Sequence, residues 1–270
     1  MSHGPESIID GLRFAQALTG DPFAKLCVQT FFERKEAEVK PMPHIFYGDI
    51  TDLWPELVRL NRQGHGIFAT LNEQLAPGTD RSQANIGYVR GFLLDLDTGG
   101  KPALDNALRA KLKPHIAIET SPGKFQAVYR VENASAMPPL YRNIGTALAA
   151  RFGGDPAVAT VERVMRVPGL MHTKRDPFLV RLIYGDSEAA PHQFDRFCDF
   201  VRLREMLDEK DAQEARRTRA LATHYTKPGN AVERQTDLLG GSFERLRGAG
   251  DGGRNAYCYR VGVAARKSGF

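Results

Sequence analysis

Cysteine is scarce in this chain. Cys27, Cys198 and Cys258 are odd in number and far apart, which excludes a disulfide framework and a Cys-based zinc site and fits a reducing compartment. No apolar run approaches the roughly 18 residues a bilayer span requires. The opening residues, MSHGPESIIDGLRF, lack a basic stretch followed by an apolar one, so they do not read as a secretory signal, and the expected location is the cytoplasm, away from membranes. Also missing are a Gly-x-x-x-x-Gly-Lys-Ser/Thr loop, a His-x-Glu pair and an internal repeat. The absence of a His-x-His pair disfavours a rolling-circle nickase.

What is present is an ordinary globular composition, 42% apolar and 26% charged over 270 residues, enough for one large or two modest domains. The net charge of +5 is unevenly placed: residues 201–270 hold 14 Lys and Arg against 9 Asp and Glu, leaving residues 1–200 balanced. A basic C-terminal region fits phosphate-bearing partners and equally a solvated helical face.

Hydrophobic spacing predicts helices over 7–18, 52–60, 103–112, 139–152 and 193–208, with Asp52 capping the second. Strands are expected over 28–32, 44–47, 67–72 and 178–184, and the polar stretch 72–85 reads as a loop that carries no core. The organising stretch is residues 88–97, YVRGFLLDLD, an apolar strand that closes on two aspartates. Alternation places Leu94 and Leu96 on one face and Leu93, Asp95 and Asp97 on the other. Two carboxylates about 7 Å apart at a strand end are unfavourable unless a cation or water reaches them. Local rules are broken in this way mainly at functional sites.

Residues 115–119 and 125–131 both alternate and flank Ser121-Pro122-Gly123-Lys124, a hairpin with a type II turn. Gln126, Val128 and Arg130 then share one face, and Phe125, Ala127 and Tyr129 the other. The turn's amides, with Ser121 and Lys124, can hold a phosphate. A third stretch follows Gly153-Gly154: Asp155, then Arg163, Arg166, His172, Lys174 and Arg175 around the Pro168-Gly169 turn, five basic side chains suited to a phosphate-rich ligand.

Taken in order, these three stretches resemble the archaeo-eukaryotic primase superfamily, the primase-polymerases, and especially its RepB-type plasmid and phage branch. The matching residues are Leu93-Leu94-Asp95-Leu96-Asp97, then Thr120 through Gln126, then Asp155 followed by Arg163 to Gly169 with His172 and Lys174. The resemblance implies an α/β (α+β) fold, a mixed β-sheet core of RRM-like type with flanking helices and a C-terminal helical tail. It implies two-metal nucleotidyl transfer from nucleoside triphosphates on a single-stranded DNA template. Asp95, Asp97 and Asp155 would be the catalytic ligands of Mg²⁺ or Mn²⁺. Ser121, Lys124, Gln126, Arg166, His172 and Lys174 would contact the nucleotide. Gln126 stands where the family usually has histidine, and Lys124 would make up the missing charge.

The three motifs are expected on one face of one sheet. Residues 1–208 read as the catalytic domain, 209–253 as a charged and glycine-rich linker, and 254–270 as the first helix of a further helical region that such proteins often carry ahead of a helicase. Two other readings stand beside this one: a silent single-stranded-DNA-binding initiator module, and a glycosyltransferase whose Asp-x-Asp binds a metal–nucleotide sugar.

Overall fold

The computed structural model describes residues 6–34, 41–134, 137–174 and 176–224, with side chains through residue 217. In chain order the elements are α1 (Ile8–Thr19), β1 (Leu26–Phe32), β2 (Ile45–Gly48), α2 (Ile50–Arg62), β3 (His65–Thr70), β4 (Glu73–Gln74), β5 (Ile86–Leu96), α3 (Gly100–Arg109), β6 (Ile116–Ser121), β7 (Lys124–Ala134), α4 (Pro138–Phe152), β8 (Val164–Arg166), β9 (Met171–His172), β10 (Phe178–Leu179), β11 (Arg181–Gly185), β12 (His192–Gln193), α5 (Phe194–Phe200) and α6 (Leu203–His224). The chain divides into two units, Met1–Leu207 and Asp208–Phe270. In the second, residues 208–217 are helical and exposed throughout, as expected of a charged, solvated segment. The glycine-rich stretch and the helix expected at 254–270 lie outside the described residues. No helix among the described residues is long and apolar enough to cross a membrane.

The expected α+β fold with a mixed sheet is what forms. Its larger sheet runs β11-β6-β7-β5-β4, all antiparallel, and β12 joins β7 in parallel. A second, four-stranded antiparallel sheet runs β2-β1-β3-β8. Alternation assigns the faces of the larger sheet. Leu93, Ile116, Ile118 and Val128 pack with the smaller sheet, α1 and α2 in one core, while Phe92, Leu94, Leu96, Phe125, Ala127 and Tyr129 pack with α3, α4 and α5 in another. One difference concerns the third motif: the basic stretch arrives through β8, on the edge of the smaller sheet, so the motifs face one another across two sheets.

Two local expectations are corrected. Helix α2 is capped by Asp49, whose carboxylate accepts the Asp52 N–H at 3.0 Å, because the helix begins one turn earlier than hydrophobic spacing indicated. The polar stretch 72–85 does contribute to the interior, since Asn72, Gln74 and Asn85 are all buried. Asn85 knots the loop through Ala76, Thr79 and Asp80. Asn72 accepts the N–H groups of Arg90 and Gly91 at 3.0 and 3.3 Å and donates to the Val161 carbonyl at 2.8 Å.

That second network positions β5. Gly91 sits at a register shift where a Cβ would come within 2.1 Å of the Tyr129 carbonyl oxygen, so only glycine lets the strand through. The Gly91 carbonyl is satisfied by the buried Tyr141 hydroxyl at 2.9 Å. Tyr141→Phe strands that acceptor, and urea unfolding is expected to show a loss of about 1–3 kcal/mol with the circular-dichroism spectrum of the native state unchanged.

Candidate active site

Asp95 is the last but one residue of β5 and faces the space between the two sheets. It pairs across the ladder with Gln126. The Gln126 amide bonds to the Asp95 carboxylate, and its oxygen accepts the Arg166 N–H at 3.3 Å. One neutral side chain thus joins the acidic strand to the edge of the facing sheet.

Asp97 lies just beyond the strand, exposed, with its carboxylate 3.1 Å from Lys124 Nζ. The hairpin expected at 121–124 is present: Ser121 and Lys124 pair across it, and Gly123 takes the positive φ of 75° that a type II turn requires. Its amides are less available than the sequence indicated. The Gly123 N–H is accepted by the buried carboxylate of Glu119 at 3.1 Å, and Glu119 also pairs with Arg181.

Asp155 reaches the same place by a main-chain route. Helix α4 ends at Gly153 in the left-handed region, φ 72°. Gly154 then crosses β5 so closely that a Cβ would lie 2.6 Å from Leu94 Cδ1 and 3.0 Å from the Asp95 carbonyl oxygen. This approach lets the Asp155 N–H donate to that carbonyl at 2.9 Å. The Asp155 carboxylate accepts the Ala157 N–H at 2.8 Å. Glu162, the other acid close in sequence to the basic turn, is turned toward Gln83 and Arg81.

Burial, then the Asp97 charge, pushes the Asp95 carboxyl up to about 6, with Asp155 adding to the effect and the Gln126 hydrogen bond and Arg163 opposing it. Asp95 therefore feels the charges of the other two acids more than that of Arg163. Among the described residues no group of three or more His, Cys, Asp and Glu side chains is closed up as a metal cage. The Asp97 carboxylate pairs with Lys124 and that of Asp155 accepts the Ala157 N–H. The donor chemistry itself, three carboxylates and no thiolate or imidazole, fits a hard divalent cation.

The basic side chains separate by role. Arg163 and Arg166 diverge, as they must from a strand. Arg163 donates to the carbonyls of Ala157 and Val158 at 2.5 and 3.4 Å, bracing the turn that follows Asp155. Arg166 is only 8% exposed, lies 4.6 Å over the Phe68 ring, and is held by both oxygens of Glu33 at 2.5 and 3.2 Å. Glu33 also lies 3.4 Å from the Thr173 N–H and hydroxyl. Glu33 was not found from the sequence; its one signal is an acid directly after the apolar strand end Phe31-Phe32.

His172 stands 2.8 Å from the Thr120 carbonyl through Nδ1. A carbonyl only accepts, so Nδ1 carries the hydrogen and Nε2, buried and without a partner among the described residues, offers a lone pair. Burial and the nearby Arg166 hold its pKa below the ordinary value. Lys174 is exposed, with its charge felt at His172. Arg175, the fifth member of the expected cluster, lies outside the described residues.

Comparison with known proteins bears on the family and the fold. The family model of the RepB DNA-primase N-terminal domain matches residues 60–226, more than half of the chain. The crystal structure of primase RepB′ superposes with a TM-score of 0.54 at 18% identity, covering 81% of this chain and 68% of that one. The catalytic domain of RepB′ in complex with initiator DNA gives 0.52 at 18%, covering 76% and 97%. The AEP domain of the cyanophage S-2L primase-polymerase (PrimPol) gives 0.52 at 18%, covering 74% and 99%. At this identity the structural likeness establishes the fold. No curated protein matches the chain.

Two measurements test the geometry. In the fold the Asp95 carboxyl is pushed up to about 6, above the ordinary aspartate value of about 3.9, so the folded chain holds an extra proton between those values. The stability that proton brings is full below about 4 and lost as pH rises through about 6. Asp95→Asn is expected to stabilise the metal-free protein at pH 8 by up to about 3 kcal/mol, a gain that disappears in thermal melts near pH 4. Glu33→Ala leaves the Arg166 guanidinium buried and unpaired, and denaturant unfolding is expected to register a loss of about 3–5 kcal/mol.

Proposed function

This chain belongs to the family of RepB DNA-primase N-terminal domains, and we propose that it is a template-directed nucleotidyl transferase, a primase or primase-polymerase of a phage or plasmid replicon. The substrates would be nucleoside triphosphates and a single-stranded DNA template; initiator DNA is bound by the catalytic domain of the similar primase RepB′. A helicase, on the same chain or separate, is the expected partner in replication. The observation that carries the reading is the hydrogen bond from the Asp155 N–H to the Asp95 carbonyl, which brings an acid 60 residues later in sequence to the mouth of the Asp-x-Asp strand.

In this reading Asp95, Asp97 and Asp155 hold two divalent cations, Mg²⁺ or Mn²⁺. Bound there, the cations supply activation of a primer 3′-hydroxyl and charge neutralisation of the triphosphate. The chain's own residues do the rest. Lys124, once its exposed pair with Asp97 gives way, places a charge on the phosphates, and Ser121 adds a hydroxyl donor. Arg166 is held in place by Glu33 before a nucleotide arrives, and would share its charge between that carboxylate and the phosphates. Neutral His172 offers a lone pair at Nε2. An arriving phosphate favours its protonation, after which both ring nitrogens donate. Lys174 would add an exposed charge at the rim.

Gln126 keeps a second reading in view, the silent DNA-binding initiator module, because a neutral amide there cannot carry charge to the triphosphate. Incubation with single-stranded template, Mn²⁺ and labelled nucleotides separates the two, since a silent module yields no product at any metal concentration. Within that assay Asp155→Ala is expected to lower incorporation by about 10²–10³-fold, while Glu162→Ala keeps most of it. The reverse pattern would move the third acid to Glu162.

A further inference from the structure

Two clefts lie on the helical side of the larger sheet and meet at Arg151. One, of about 660 Å³, runs from Gly99 along Ala103, Asn106 and Arg109 of α3 to Arg151 and Phe152 at the end of α4. The other, of about 590 Å³, runs from Arg151 past Lys111 and Phe200 to Arg196 and Arg202. Joined, they form one trough. Its mouth, Gly99, is two residues past Asp97, at the end of β5.

The lining carries five cations, Arg109, Lys111, Arg151, Arg196 and Arg202, against one acid, Asp199. All five are exposed. Only Arg202 has a carboxylate partner among the described residues, Glu205 at 3.4 Å, and that pair is solvent-screened. The other four stand in the trough without an ion-pair partner there. Arg151 sits 4.3 Å over the Phe200 ring and 5.7 Å over Phe152, so its guanidinium is held on an aromatic floor at the junction. Cations gathered on one surface with little opposing charge raise the local positive potential, which draws a polyanion of matching path.

We propose that this trough is a track for the phosphate backbone of single-stranded nucleic acid, which passes over the end of β5 between the carboxylates and the α3–α4–α5 surface. The identity of the strand as template or growing primer rests on the polymerising role given above. Spaced charges and a planar guanidinium laid over aromatic rings, as Arg151 is, are features that bind single strands without reading their sequence. A compact anion would fill only one of the two clefts and leave the other's cations unmatched.

The test uses the whole chain, a labelled single-stranded oligonucleotide and no nucleotide or divalent cation. Each phosphate contact on a single strand contributes about 0.7 to the slope of log affinity against log salt, so the triple substitution Lys111→Ala, Arg151→Ala and Arg196→Ala is expected to lower that slope by about 2. An equal loss of charge through Arg13→Ala, Lys25→Ala and Arg59→Ala, on the α1 and α2 side, is expected to leave it unchanged. In the unsubstituted chain the oligonucleotide is expected to protect Lys111 from amine acetylation, read by mass spectrometry, which needs no variant to fold. An unaltered slope in the triple variant, an equal fall in the control, or an unprotected Lys111 overturns the track. A shallower slope and protected Lys111 in a protein that incorporates no nucleotide would keep the track and remove the polymerising role; incorporation with an unaltered slope would do the opposite.

Discussion

The backbone bond that ties the Asp155 N–H to the Asp95 carbonyl is the constraint around which the rest of this cleft is arranged. Left to themselves, Asp95, Asp97 and Asp155 would separate into solvent. Asp95 is instead locked in the ladder opposite Gln126, and Asp155 is tied to it through the backbone. The side chains retain what latitude remains: Asp97 leans on Lys124, and Asp155 on the amide of Ala157. The proximity is therefore a property of main-chain geometry, and the charge conflict is borne mainly by Asp95, the most enclosed of the three.

The opposite wall has the inverse construction. Arg166 is enclosed and would be costly alone, and Glu33 satisfies it through two contacts while also reaching Thr173. Glu33 follows directly on β1, at the centre of the smaller sheet, so the basic wall takes its position from that sheet's own strand order. Gln126 then joins the walls with an amide that gives a hydrogen bond to one side and takes one from the other. A neutral imidazole could make the same pair of bonds, but a protonated one could not accept the Arg166 N–H, so the amide makes the link without depending on pH.

Much of this could be read in the residue order. The faces of β5 and β7, the hairpin with its positive-φ glycine, and the helix ending at Gly153-Gly154 all rest on period-two alternation and turn chemistry, which are local. Asp95 and Asp97 stand out by strand alternation and Asp155 only by resemblance; the fold ties the Asp155 N–H to the Asp95 carbonyl. What the order of residues did not reveal was long-range. Glu33 lies over 130 residues from Arg166, and Glu119 occupies the Gly123 amide from within the strand, so neither had a spacing to betray it. The buried asparagines of 72–85 escaped because polar side chains with complete hydrogen-bond sets look, in one dimension, like a loop.

The contrast between the Glu33–Arg166 and Asp97–Lys124 pairs also says which part of the cleft yields. The first is nearly solvent-free, doubly bonded and backed by an aromatic ring; the second is a single exposed contact at a turn. The Lys124 side chain at the tip is therefore the part free to change partner, while the strand bearing Arg166 is the fixed anvil of the cleft.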